Sequence, residues 1–175
     1  MSIELLTRER MGDVGKCDGA FTVDSKLVLS ARDNVVSYEV VPVAPYEKRY
    51  AKQEIDYGRY VGAEDRAVYL AYIDGVVAGE MRLWVHWNGF AYIDDIVVDR
   101  GYRRRGVGRA LIEQAVGWAK AKGLAGVMLE TQDNNVGACR LYEACGFVIG
   151  GFDRKLYRGI PGVRDEVAVY WYREG

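Results

Sequence analysis

At 175 residues, half of them apolar and 28% charged, the chain is long enough for one well-buried domain and short for two. Its formal net charge of −1 excludes a general electrostatic attraction to nucleic acid or to membrane surfaces, so any basic stretch is a local device. Three cysteines (Cys17, Cys139 and Cys145) and one histidine, His86, fit neither a disulfide framework, nor a histidine metal site, nor a Ser-His-Asp triad.

The first fifteen residues, "MSIELLTRERMGDVG", contain no apolar core of signal-peptide length, and no later run approaches a membrane span. The expected compartment is the cytoplasm, with neither membrane nor nucleic acid as a partner. Next, "SKLVLSA" and "VVSYEVVPV" predict two strands separated by Arg32, Asp33 and Asn34. After Pro45, "YEKRYAKQEIDYGRY" reads as a charged, tyrosine-rich helix without an apolar stripe, suited to covering a site.

From Ala67 apolar, β-branched runs are punctuated by turn dipeptides. "AVYLAYI" ends at Asp74 and Gly75, "VVAGEMRLWVHW" ends at Asn88 and Gly89, and "FAYIDDIVV" follows. Asp-Gly and Asn-Gly between apolar runs predict two tight hairpins with positive φ at both turn residues, and hence a three-stranded antiparallel meander. His86 falls in this region as an ordinary packed or surface residue.

Period 3.6 then takes over. Val107, Leu111, Ala115 and Trp118 recur at helical spacing, and Lys120, Lys122 and Gly123 supply the ending. "AGVMLET" is a strand, "QDNN" a polar loop, and Val136 to Cys145 a second helix stopped at Gly146. "FVIGG" and "EVAVYWY" are closing strands. The alternation implies a parallel β-α-β crossover joined to the antiparallel meander: a mixed α/β fold, residues 1–175 as one domain.

Between the third meander strand and the first helix lies "DRGYRRRGVGRALIEQA", rich in arginine and glycine. A helix start offers unpaired amides and a partial positive charge, Gly106 and Gly108 let backbone approach an anion closely, and arginines can clamp its outer oxygens. No Lys-Ser/Thr follows Gly108 and no third glycine is present, so neither the Walker loop nor the dinucleotide fingerprint fits.

Arg103-Arg104-Arg105-Gly106-Val107-Gly108, followed about thirty residues later by Asn135, Ala138, Leu141 and Tyr142 and then by Gly146-Phe147, resembles the GNAT family of N-acetyltransferases. The resemblance runs from about residue 67 to the C-terminus. Within that family, "YIDDIVVDRGYRRRGVG", "GVMLETQDNNVGACRLYEACGF" and "AVYWY" look like the streptothricin acetyltransferases, which acetylate the β-lysine amine of those antibiotics with acetyl-CoA.

The resemblance implies acetyl-CoA as cosubstrate, no metal, and a small cationic amine as acceptor; it is also compatible with a homodimer. It places the CoA diphosphate on the turn formed by Arg103, Arg104, Arg105, Gly106, Val107, Gly108 and Arg109. Ile96, Val97 and Val98 would pair with pantetheine, with Val97 or Val98 N–H facing the thioester oxygen. Asn135 and Ala138 would line the cofactor arm, and Tyr142 would protonate the departing thiolate.

Acetyl transfer also needs a neutral amine, and Asp94 and Asp95 are the candidate bases. Being adjacent in a strand, they should face opposite sides, which leaves the choice between them open. Glu54, Asp56, Glu64, Asp65, Glu80 and Asp94 are candidate acidic contacts for a cationic substrate. Two alternatives remain: a protein N-terminus, lysine or other polyamine as acceptor, and a non-catalytic acyl-CoA-binding module.

Overall fold

A computed structural model describes residues 1–51 and 54–175. Its strands are β1 (Ser2–Leu5), β2 (Phe21–Arg32), β3 (Val35–Lys48), β4 (Arg66–Ile73), β5 (Val76–Val85), β6 (Ala91–Val98), β7 (Gly126–Gln132), β8 (Val148–Asp153) and β9 (Ala168–Glu174). The helices are α1 (Val107–Ala121) and α2 (Val136–Ala144), with 3-10 turns at Arg8–Asp13, Tyr57–Tyr60 and Arg100–Tyr102. The class is mixed α/β. The chain gathers into two compact units, Met1–Phe21 with Arg49–Val127 and Gly175, and Thr22–Lys48 with Met128–Glu174. Among the described residues no helix is long and apolar enough to cross a membrane.

In the first unit, β1, β4, β5 and β6 lie side by side, each antiparallel to the next. The expected meander is therefore present, with β1 added at its edge. β4 is buried on both faces from Ala67 to Ala71, which explains its unbroken apolar run. One face takes Val68 and Leu70, packed with Leu6, Val77, Met11, Val14, Tyr57 and Val61. The other face is covered by α1, which buries Val107, Leu111, Ile112, Ala115 and Ala119.

Gly79 sets the closeness of that contact. A Cβ there would meet Val107 Cγ1 at 2.8 Å, the Val97 carbonyl oxygen at 3.0 Å and Leu111 Cδ1 at 3.1 Å. Gly79→Ala is expected to destabilise the fold by about 1–3 kcal/mol through overpacking, read as a lower denaturation midpoint with an unchanged m-value.

The two hairpin turns differ. Asp74 and Gly75 both have positive φ (51° and 77°), as the dipeptide predicts. At the second turn only Gly89 does, with φ 82°. That loop is longer: His86 N–H donates to Phe90 C=O at 2.8 Å, and Asn88 Oδ1 accepts from Phe90 N–H at 3.2 Å. Asn88 serves as a side-chain acceptor there, so it has no need of the left-handed conformation.

In the second unit β2 and β3 form a long hairpin whose turn has both Asp33 and Asn34 at positive φ. β9 lies between β7 and β8 and is antiparallel to β8. α2 runs from Val136 to Ala144, capped by Asn135 at its start and Cys145 at its end with Gly146 beyond, within one residue of the predicted Val136 to Cys145.

Among the described residues the covering helix expected after Pro45 is absent. Tyr46, Glu47 and Lys48 extend β3, and only Tyr57–Tyr60 is helical, as one 3-10 turn. Lys52 and Gln53, which the predicted helix included, lie outside the described residues. With no apolar stripe the segment had nothing to bury as a helix. A tertiary anchor decides its start instead: Lys48, 9% exposed, donates to both Glu166 carboxylate oxygens at 2.6 Å and to Asn134 Oδ1 at 3.0 Å.

Candidate active site

The arginine-glycine turn begins at Asp99. Its carboxylate accepts from Gly101 N–H at 2.9 Å and from Asp18 N–H at 2.8 Å, pinning the chain as it leaves β6. Arg103 Nε donates to the Val98 carbonyl at 3.3 Å. Arg104 and Gly106 then take left-handed conformations, φ 63° and 83°, on either side of Arg105. Such reversals turn successive amides toward one side and make anion-binding concavities. Gly106 caps α1 with no side-chain acceptor, and Ala110 N–H makes the helical bond back to its carbonyl at 3.0 Å. Arg104, Arg105, Gly106 and Arg109 are exposed, while Val107 and Gly108 are buried beneath them. The turn thus presents cationic side chains and helix-start amides on a rigid base, a fit to a phosphate group.

Upstream, Ile96, Val97 and Val98 are half-buried and pair with Met81, Glu80 and Gly79 of β5. The ladder shifts register between Arg82 and Leu83: Arg82 faces Asp95, Leu83 faces Ile93, and Asp94 is the extra residue of a bulge. This overturns the expectation that the two aspartates face opposite sides. Both carboxylates reach one guanidinium: Arg82 donates to Asp94 Oδ2 at 2.7 Å from Nη2 and 3.2 Å from Nε, and its Nη1 lies 3.6 Å from Asp95 Oδ2. Asp94 is held by charged hydrogen bonds, whereas Asp95 is only a near neighbour of the cation.

Glu80 lies on the same face of β5 as Arg82, two residues on, and opposite the face on which Gly79 of β5 meets α1. It is 2% exposed, with Oε1 accepting from Tyr57 OH at 2.7 Å and Oε2 from Gly15 N–H at 2.8 Å. It is therefore a buried, doubly bonded carboxylate and not an accessible contact for substrate. Burial, followed by Glu80 and Asp94 as like charges, raises the Asp95 pKa above the ordinary aspartate value against the opposing pull of Arg82. Burial and the bond to Glu80 push the Tyr57 phenol to about 12. The Cys17 thiol, half-buried nearby, is also pushed to about 12 by burial and by Glu80, Asp99 and Asp95.

The remaining acidic candidates do not gather. Glu54 is exposed on irregular chain. Asp56 is exposed and caps the 3-10 turn by accepting from Gly58 N–H at 3.1 Å. Glu64 is exposed, and Asp65 pairs with Arg66 at 2.8 and 2.9 Å. His86 packs against Tyr92 and Trp87, ring centroids 5.3 and 5.6 Å away, and stays an ordinary aromatic neighbour. Among the described residues no group of three or more His, Cys, Asp or Glu is placed to hold a metal ion.

In the second unit Asn135 Oδ1 accepts from Ala138 N–H at 3.3 Å, so both residues form the start of α2. Tyr142, 5% exposed, packs in tilted contact with Phe147 and with Trp171, each 6.0 Å away between centroids. Cys139 and Cys145 are buried, and burial, with Glu143 next, pushes the Cys139 thiol to about 12. A Cys139 thiol held that high is poorly suited to act as a nucleophile.

Several polar residues escaped the sequence reading. Tyr57 and Arg82 complete the first unit's cluster. In the second, Tyr157 donates its hydroxyl to Glu130 and accepts from Gln132 Nε2 at 2.9 Å, while Asn134 bridges Tyr46 and Glu166. Glu130 stands in the quoted strand "VMLET", but nothing in a lone strand glutamate marks it as buried; burial raises its pKa.

The model of the Acetyltransferase (GNAT) family matches residues 33–147. Streptothricin acetyltransferase A of Bacillus subtilis is 36% identical over 168 residues, 95% of this chain and 96% of that protein. A streptothricin acetyltransferase of Escherichia coli is 37% identical over 94% of this chain and 91% of its own length. Among solved structures, a protein of Bacillus anthracis provisionally named a streptothricin acetyltransferase, in complex with acetyl coenzyme A, superposes with a TM-score of 0.91 at 42% identity, covering 99% of this chain and 97% of that one. A shorter likeness, 35% over 45% of this chain and 53% of the relative, is to the ribosomal protein bS18-alanine N-acetyltransferase of Escherichia coli K12.

Proposed function

The chain belongs to the GNAT acetyltransferase family, and on that premise we propose that it transfers the acetyl group of acetyl-CoA to an amine of a streptothricin-type antibiotic, inactivating it. The observation that carries the reading is the turn from Arg103 to Arg109, shaped for a phosphate and beginning eight residues after a pair of aspartates that one arginine treats unequally. Likeness to streptothricin acetyltransferases over nearly the whole chain supports the choice of acceptor. Both compact units are read as one catalytic domain, since the family match from 33 to 147 crosses their boundaries.

Acetyl-CoA supplies an activated thioester; this chain's residues bind it, prepare the amine and move protons. The amides and side chains of Arg103, Arg104, Arg105, Gly106, Val107, Gly108 and Arg109 hold the diphosphate. Backbone at Ile96, Val97 and Val98 aligns the pantetheine arm, with Asn135 and Ala138 at the start of α2 beside it. Asp95 takes the proton from the substrate ammonium, because Asp94 is already committed to Arg82 and Glu80 to Tyr57 and Gly15. As the amine nitrogen bonds to the acetyl carbon and the carbon–sulfur bond breaks, Tyr142 OH protonates the thiolate, and the second proton lost by the acylated nitrogen restores the phenol.

The deciding experiment is thiol release from acetyl-CoA with streptothricin, with polyamines, and with a peptide bearing an N-terminal alanine. Turnover with streptothricin foremost is expected. Preference for the peptide would transfer the function to a protein N-terminus, and tight CoA binding without turnover of any amine would leave only a binding module. Gly106→Val is expected to weaken acetyl-CoA binding about tenfold by calorimetry. Open space surrounds the position, so strain at φ 83°, roughly 1 kcal/mol or more, would act by reorienting the turn's amides.

A further inference from the structure

We propose that Arg82 is a positioning residue that divides the labour of the two adjacent aspartates, fixing Asp94 as its permanent counterion and leaving Asp95 free to exchange a proton with the substrate. The inference rests on the reading of Asp95 as the amine's base, and adds what makes that base different from its neighbour. Sequence alone offers two equivalent carboxylates; the bulge at Asp94 makes them inequivalent by presenting both to one side chain.

The Arg82 side chain is 6% exposed, so its charge is fixed in place and weakly screened. Two donors of its fork go to a single Asp94 oxygen at 2.7 and 3.2 Å, and the guanidinium also hydrogen-bonds Tyr57. The third nitrogen stops 3.6 Å from Asp95, beyond hydrogen-bond length, so Asp95 feels the cation without being bonded to it. A base must be within reach of the substrate's proton, and the Asp94 oxygen that binds Arg82 is already occupied by two donors.

The groups around Asp95 come from every neighbouring element. Arg82 and Glu80 face it from β5, Asp94 from β6, Cys17 from the segment before β2, and Tyr57 stands behind Glu80 on the 3-10 turn. Glu80 cannot swing away, since Tyr57 and Gly15 hold its two oxygens. Asp95 thus sits between one fixed cation and two fixed anions, and Arg82 sets the balance through the partner it binds.

The test is the acid limb of the kcat/KM–pH profile, with streptothricin as amine, in wild type and three variants. Asp94→Asn removes an anion and releases the guanidinium toward Asp95, so the limb should move down by about one pH unit. Arg82→Gln removes the cation, so the limb should move up by a similar amount. Arg82→Lys keeps the charge without the fork and should return the limb toward the wild-type position. Opposite shifts from neighbouring substitutions are something a merely structural arginine would not give. Shifts in one direction for both, or none, would overturn the proposal.

The carboxyl carbon of Asp95, titrated by NMR in labelled protein without substrate, should show the same opposite shifts. That measurement separates the two readings: a wild-type protein inactive on every amine defeats the function, while equal or absent NMR shifts defeat the role of Arg82. Should Arg82→Gln fail to fold, Asp94→Asn and Arg82→Lys still decide it, the first by a downward shift and the second by none.

Discussion

Asp95→Asn lowers acetyl transfer by about 10²–10⁴-fold, the range for losing a general base, while acetyl-CoA still binds with little change. Asparagine keeps the shape of the side chain, and the cluster of Arg82, Asp94, Glu80 and Tyr57 can persist around it. Residual activity should recover at high pH, where a growing fraction of the amine is neutral in solution. Single-turnover kinetics with streptothricin, beside calorimetry with acetyl-CoA, separates the chemical loss from a binding loss. An equal fall in cofactor affinity would mean that Asp95 shapes the donor site instead.

The pH dependence follows with a definite sign. Because burial raises the Asp95 pKa, activity should climb with pH through a limb above the ordinary aspartate range. For stability the same shift acts oppositely. The folded state binds this proton more tightly than the unfolded chain, so its contribution is present at low pH and is lost as pH rises through the folded value. Glu130 and Asp133, also raised by burial, add to that trend.

Tyr142→Phe is expected to lower kcat by roughly tenfold to a hundredfold or more, with a much smaller effect on acetyl-CoA affinity. The ring is kept, so the contacts with Phe147 and Trp171 stay and thermal stability should hardly move. Tyr142→Ala separates the two roles, since truncating a buried aromatic costs about 3–5 kcal/mol. If the phenylalanine variant matches wild type in kcat, the proton for the thiolate comes from another group or from water.

The parts of the fold that were legible in the sequence are those with local causes. The meander from β4 to β6 announces itself through apolar, β-branched runs bounded by Asp74-Gly75 and Asn88-Gly89, and α1 through a 3.6-residue period ending at Gly123. The turn at Arg103–Gly108 was legible for the same reason: glycine placement and a helix start are local facts. What escaped depends on distant partners. β3 continues past Pro45 because Lys48 finds Glu166 and Asn134 more than eighty residues away. The bulge at Asp94 has no signal in "IDDIVV", since register belongs to a strand pair and not to one strand. Arg82 and Tyr57 were overlooked because neither belongs to a motif; only burial against acidic partners singles them out.

Arg104 holds a backbone conformation that costs a side-chain-bearing residue about 1 kcal/mol and that glycine would adopt freely. Arg104→Gly would relieve that strain, yet it would also let the turn sample many shapes before a ligand arrived. The arginine therefore acts as a latch against disorder, carrying part of the ordering entropy of binding in the folded protein itself, ahead of any encounter.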